Sequence, residues 1–256
     1  MTDTLAERGW ARFAAEPATL SWAAAALAEA RRVLDQPGGD WRAGGTWFVG
    51  VDALANDADG AVAGVPLAGR AVDEALRRHG PQAWHRAQLS VIRPGYPRPS
   101  DAESPAAFTF RLNRDAAHVD GLIAEGPDKR RFVREPHAFV LGIALNDCGA
   151  GASPLAVWEG SHRIMAEMFR RTLAGKAVDA MGETDVTDAY QAARRQAFET
   201  CPRLLAPLEV GEAILMDRHL LHGVSPWTEG ASAPPEGRII AYFRPECATV
   251  AGWLGG

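Results

Sequence analysis

The sequence predicts a mainly β fold with flanking α-helices, a sandwich or jelly roll backed by helices. Three observations point there. Between about residues 85 and 245, short stretches of period two or of continuous apolar character alternate with Gly, Pro, Asn and Asp turn signals. Two stretches with helical periodicity precede them, and one helical insert interrupts them. The chain has 256 residues and is 47% hydrophobic, enough for one sizeable core at a length where sandwiches and barrels are often single domains. No repeat or linker divides it. Residues 1–256 therefore read as one domain: about 1–84 as helices and strands packing on the core, and about 85–245 as the jelly-roll core, with a helical insert at about 161–198.

Taken in order, "TLSWAAAALAEARRVLD" reads as a helix with Leu20, Ala24, Leu27 and Leu34 on one face, stopped by "QPGGD". "TWFVGV" (46–51) reads as a strand. "PLAGRAVDEALRRHGP" reads as a helix starting at Pro66 and ending before Gly80-Pro81. The period then changes to two. Ala87, Leu89 and Val91 alternate with Gln88, Ser90 and Ile92, and Phe108, Phe110 and Leu112 alternate with Thr109, Arg111 and Asn113. "HAFVLGIALND" (137–147) is apolar enough for a strand buried on both faces. "PLAVW", "RLLAPLEV", "EAILMD" and "RIIAYFR" are further strands. Within the insert, Ser161 is expected to N-cap one helix ending near Gly175, and a second covers roughly 185–198. Trp158, Phe139 and Met216 read as core.

Composition excludes several classes. The 27 basic and 32 acidic residues give a formal charge of −5 with no basic stripe, so no nucleic-acid partner is expected. Cys148, Cys201 and Cys247 are odd in number and form no Cys-x-x-Cys pair. Neither a disulfide framework nor a zinc-thiolate site is expected, and a reducing, cytoplasmic setting is. The opening "MTDTLAERGW" lacks a signal-peptide pattern, and no run of about 18 apolar residues predicts a membrane span. "NDADG" (56–60) lacks oxygen ligands at Ala55 and Pro66, where a calcium loop needs them, and reads as a plain turn. "GAGASP" leads into a strand rather than a helix, which argues against a phosphate cradle, and "GASPL" lacks the final Gly of a nucleophile elbow. The basic "DKRRFVRE" (128–135) reads as a solvated loop rather than a lid for anions.

The chemistry concentrates in "RDAAHVDGL". His118 and Asp120 lie at i and i+2, so in extended chain both side chains face one side. A third ligand comes best from His222 in "LMDRHLLHGVSPW", which follows an apolar strand and precedes Gly223; His219 is its competitor. Two histidines and a carboxylate suit an octahedral Fe(II) with open positions. His79 and His85 read as surface residues.

Four ordered stretches lift this trio above an incidental cluster. They are "AHVDGL", "IALNDCGAGASPLAVWEGSHR", "LEVGEAILMDRHLLHG" and "GRIIAYFRP". Together they resemble the phytanoyl-coenzyme A dioxygenase-like family of Fe(II)/2-oxoglutarate oxygenases. The resemblance implies a double-stranded β-helix, a jelly roll of cupin-like kind. It implies iron on His118, Asp120 and His222, and 2-oxoglutarate held by Arg238, with Arg244 on the same strand face as the alternate. Gln88 and Ser90 are candidate lining residues of the cosubstrate pocket. Ser161 and His162 are expected to shape a turn rather than do chemistry.

Three departures accompany it. Arg238 follows His222 by sixteen positions, Asn146 stands where the family usually has an acid, and the segment before His118 is long enough for a substrate-specific lid. The implied reaction is hydroxylation of a small molecule by O2, with release of succinate and CO2. Because Asp120 supplies a carboxylate, no position is left for chloride, so oxidation rather than halogenation is expected. Two rivals stand beside it: a cupin-type isomerase or hydrolase using Zn(II) or Mn(II), and a non-catalytic small-molecule binding module.

Overall fold

The computed structural model describes residues 4–101 and 103–255. In chain order the elements are α1 (Thr4–Arg8), β1 (Trp10–Phe13), α2 (Pro17–Leu34), β2 (Trp41–Arg42), β3 (Trp47–Gly50), α3 (Arg70–His79), β4 (Gln88–Ile92), α4 (Pro105–Arg114), β5 (Leu122–Glu125) and β6 (Arg130–Val133). They continue with β7 (Phe139–Ala144), β8 (Leu155–Trp158), α5 (Ser161–Leu173), α6 (Val178–Met181), α7 (Thr187–Thr200), β9 (Arg203–Ala206), β10 (Ala213–Asp217), β11 (His222–Val224), β12 (Arg238–Phe243) and α8 (Val250–Trp253).

Seven strands form one antiparallel sheet in the order β1-β10-β7-β12-β4-β3-β2, and a second sheet runs β11-β8-β9. The two sheets face each other as a jelly roll with helices outside. Period two sorts the side chains into layers. Ile240 and Tyr242 of β12, Val140 of β7 and Ile214 and Met216 of β10 meet Leu155 and Val157 of β8 between the sheets. Their neighbours Ile239, Ala241 and Phe243, with Phe139, Leu141 and Ile143, point the other way, against α2 and α3. On β8 the alternate residues Ala156 and Trp158 pack outward against α5 and α7.

Several expectations change. α2 buries Trp22, Ala23, Ala26 and Ala30, while Leu20 is exposed. The wide Trp22 ring, with its Nε1–H donating to the Gly60 carbonyl at 2.8 Å, takes the centre of the buried face, with Leu27 and Leu34 half-buried at its edge. α3 begins at Arg70, not Pro66. Its first amide is capped from outside by Glu16, whose carboxylate accepts from the Arg70 N–H at 2.7 Å. Residues 106–113 are helix α4, not a strand. Ser104 accepts from the Ala107 N–H and Pro105 sits in the first turn; these start signals outweigh the alternating Phe108, Phe110 and Leu112. Ser161 does not cap α5. Gly160 holds that position with left-handed backbone, and the Ser161 hydroxyl instead accepts from the Leu221 N–H at 2.9 Å. "NDADG" is the plain turn expected, with Asp57 accepting from the amides of Asp59 and Ala61. Residues 128–135 enter a hairpin rather than a free loop. Arg130 pairs with Asp185 and Asp188, and Arg134 with Glu125 and Glu183. Among the described residues no helix is long and apolar enough to cross a membrane.

Trp22 is fully buried between α2 and the large sheet. Trp22→Ala is expected to destabilise the fold by about 3–5 kcal/mol through the cavity left behind, read as a fall in the urea unfolding midpoint.

Candidate metal centre

His118 and His222 are directly opposite each other in an antiparallel bridge. The His118 N–H donates to the His222 carbonyl at 2.8 Å, and the His222 N–H returns the bond at 3.0 Å. Residues paired in this way project their side chains to the same face, and the two imidazoles lie 4.9 Å apart. Asp120 follows on the same side, its Oδ1 3.2 Å from His118 Nε2 and its Oδ2 3.8 Å from His222 Nε2. One donor atom from each of the three lies within 4.8 Å of the others, a group able to hold a metal ion.

Backbone carbonyls set the tautomers. His118 Nδ1 is 3.0 Å from the Ala116 oxygen, and His222 Nδ1 is 2.9 Å from the Leu220 oxygen. A carbonyl only accepts, so each Nδ1 carries a proton and each Nε2 is turned toward Asp120, able to donate to it when the ring is charged and to offer a metal its lone pair when the ring is neutral. Burial pushes Asp120 up, but the His118 hydrogen bond and the charges of His222, His118 and Arg244 outweigh it. The carboxyl is therefore held well below its usual range, ready as an anionic ligand. Burial pushes His222 down, which favours the neutral, ligating ring.

The local chain is built for this approach. α4 ends at Asp115, which takes left-handed backbone (φ 54°), as does Ala116 (φ 51°), and so turns the chain into the His118 strand. The buried Asp115 carboxylate is clamped by Arg203 of β9 at 2.6 and 2.8 Å. Gly223 sits against this turn. A Cβ there would run into the Asp115 carbonyl oxygen and Ala117, so only glycine lets the strand after His222 lie this close. The Ser161 hydroxyl holds the Leu221 amide, one residue before His222.

A cavity opens beside the trio, lined also by Trp47, Gln88, Ser90, Tyr242 and Arg244, with Val140, Leu155 and Val224 as its apolar wall. Gln88 and Ser90 thus lie beside the three ligand side chains, and Ser90 accepts from Trp47 Nε1–H at 3.3 Å. His219 is not near them. It is buried against Phe169 and Trp253, and burial holds its pKa down to about 4.

The two candidate arginines occupy different places along one row, Arg238 at the start of β12 and Arg244 just past its end, with Ile240 and Tyr242 between. Arg244 reaches the trio, with an Nη1 3.8 Å from Asp120 Oδ2. Arg238 lines a separate small cavity with Asn146 and Cys148. It is 6% exposed, and its three guanidinium nitrogens are buried facing the buried Tyr242 hydroxyl, with no acceptor in close hydrogen-bond geometry. No carboxylate pairs with Arg238 among the described residues, a costly state for a buried cation unless an anion joins it. Asn146 explains its own departure from an acid. Its amide donates to the Gly237 carbonyl at 2.8 Å and accepts from the Ile239 N–H at 3.0 Å, bracketing Arg238. An aspartate could make only the second bond.

No signal in the sequence pointed to Trp47, Tyr242 and His137 at the site. An aromatic on a strand reads as core, and His85 read as a surface residue. It is half-buried and accepts from the Arg244 N–H.

No family model matches the chain, and no curated protein does. Solved structures do match. One is the non-haem α-ketoglutarate-dependent carbocyclase SnoK from nogalamycin biosynthesis, at TM-score 0.57 and 14% identity over 97% of this chain and 85% of that one. The chain shares its fold. A second is AviO1 from Streptomyces viridochromogenes Tue57, at TM-score 0.50 and 18% identity over 96% of this chain and 94% of that one. At these identities the likeness establishes the mainly β jelly roll with flanking helices.

Gly223→Ala is expected to push the two histidine strands apart and weaken Co(II) binding roughly tenfold or more, with unfolding still cooperative. Binding as tight as in the native chain would remove the role given to this glycine.

Proposed function

We propose that this chain is a non-haem Fe(II)/2-oxoglutarate-dependent dioxygenase, of the phytanoyl-coenzyme A dioxygenase-like kind, that hydroxylates a small organic substrate. The observation that carries the reading is the pairing of two sites. A His-Asp-His set brings two imidazole nitrogens and one carboxylate oxygen within 4.8 Å of one another, and a buried guanidinium with no anion lies on β12 of the facing sheet. SnoK, described as α-ketoglutarate-dependent, supports it by sharing the fold.

His118, Asp120 and His222 would hold Fe(II) through two imidazole nitrogens and a carboxylate oxygen. Fe(II) with 2-oxoglutarate and O2 would supply the oxidising power to hydroxylate a substrate C–H bond, with succinate and CO2 as co-products. Arg238, a planar fork, would take the far carboxylate of 2-oxoglutarate, with the Tyr242 hydroxyl beside it as a second donor. Asn146 keeps that arginine's backbone in register. Gln88 and Ser90 would meet the cosubstrate from β4, and Val140, Leu155 and Val224 keep water from the reacting atoms.

Anaerobically purified chain is expected to bind about one Fe(II). His118→Ala, Asp120→Ala and His222→Ala should each abolish 2-oxoglutarate turnover without loss of cooperative unfolding. Metal analysis that finds Zn(II) or Mn(II), with no succinate formed on reconstitution with Fe(II), would favour an isomerase or hydrolase. A tightly bound small molecule without turnover would favour a binding module.

Arg238→Ala should raise the KM for 2-oxoglutarate roughly 10- to 100-fold, the loss of a charge-assisted contact, with Fe(II) still bound. An unchanged KM there, beside a large rise in Arg244→Ala, would transfer the role to Arg244.

A further inference from the structure

β12 leaves its sheet just before Arg244. Its ladder with β4 ends at Tyr242 opposite Gln88, and its ladder with β7 ends at Phe243 opposite Leu141. The backbone groups of Arg244 therefore find no strand partner. Two imidazoles take their place. The Arg244 N–H donates to His85 Nε2 at 2.6 Å, and the Arg244 carbonyl accepts from His137 Nδ1 at 3.0 Å.

The donors and acceptors fix both rings. An amide only donates, so His85 Nε2 is bare and its proton sits on Nδ1, 2.6 Å from the Arg86 carbonyl and 3.4 Å from Asp52. A carbonyl only accepts, so His137 carries a proton on Nδ1. The Arg244 guanidinium has little else to aim it: its Nε is buried without a partner, and its Nη1 faces Asp120 Oδ2 at 3.8 Å. Where that guanidinium points is set by the backbone that carries it. The segment bearing His137 also braces the turn after Asp120, because the amides of Arg134 and Glu135 both donate to the Gly121 carbonyl.

We infer that His85 and His137 are positioning residues: together they hold Arg244 over the carboxylate of Asp120, and so set the metal affinity of the centre. This rests on reading His118, Asp120 and His222 as that centre. Arg244 neutralises and orients a ligand without touching the ion, and the histidines act on the ion only through Arg244. Partners at that remove typically change metal affinity 10- to 100-fold.

The test uses the full chain and Co(II) alone, titrated anaerobically by calorimetry. The native chain is expected to bind one Co(II). His85→Leu and His137→Leu keep the bulk of the ring and lose the hydrogen bond; each, like Arg244→Ala, should weaken binding roughly 10- to 100-fold. His85→Gln, which keeps an acceptor, and His137→Asn, which keeps a donor, should restore most of the affinity. Combining either Leu variant with Arg244→Ala should weaken binding no further than Arg244→Ala alone. Leu variants that bind like the native chain overturn the inference, as does further weakening in the combined variants. No Co(II) binding by the native chain overturns the metal-centre reading itself, a separate outcome.

Discussion

The site depends on one pair of hydrogen bonds, exchanged between the backbones of His118 and His222. That exchange makes two residues far apart in sequence face the same way at strand spacing. Everything nearby serves it. The Arg203 clamp on Asp115 anchors the turn before His118. Ser161 holds the amide before His222, and Gly223 removes the one Cβ that would push the strands apart. A one-residue slip would turn an imidazole away from Asp120, because side chains alternate faces.

The same alternation makes β12 the organising strand of the interior. Its odd residues Ile239, Ala241 and Phe243 seal the sheet against the helices, while Arg238, Ile240 and Tyr242 line the inside. Arg238 and Arg244 thus sit at the two ends of one inner row, one buried without an anion and one beside Asp120. Each is braced through backbone atoms by a neighbouring element: Asn146 after β7 for the first, His85 and His137 for the second. Polar side chains bonded to backbone at strand ends replace ladder bonds that the sheet no longer supplies.

Burial of titratable groups separates the histidines by task. His118 remains partly exposed at the cavity, while His222 is buried with its Nδ1 tied to a carbonyl. His219, three positions earlier, is equally buried but packs on Phe169 and Trp253, where apolar rings favour a neutral, inert ring. Burial therefore does not separate the two; what singles out His222 is its convergence with a second imidazole and a shared carboxylate.

Much was legible in the sequence because it rests on local periodicity. The period-two run at 87–92, the apolar stretch at 137–147, the closing strand at 238–244 and the helical insert follow from which residues can share a face, and the mainly β jelly roll follows from them. The i, i+2 spacing of His118 and Asp120 likewise put two donors on one side before any fold was known. Where two local signals competed, the alternation misled. Residues 105–114 carry both a strand-like alternation and a helix start at Ser104-Pro105, and the capping bond decided for the helix. The face of α2 turned on how wide Trp22 is against a sheet the helix itself does not contain. Long-range contacts were beyond reach for the same reason. His222 was legible ahead of His219, because it follows an apolar strand and precedes Gly223. That Arg238 has no partner anion and that His85 and His137 grip the backbone of Arg244 depend instead on which distant strands lie side by side, a property of the packed sheets and not of any short segment.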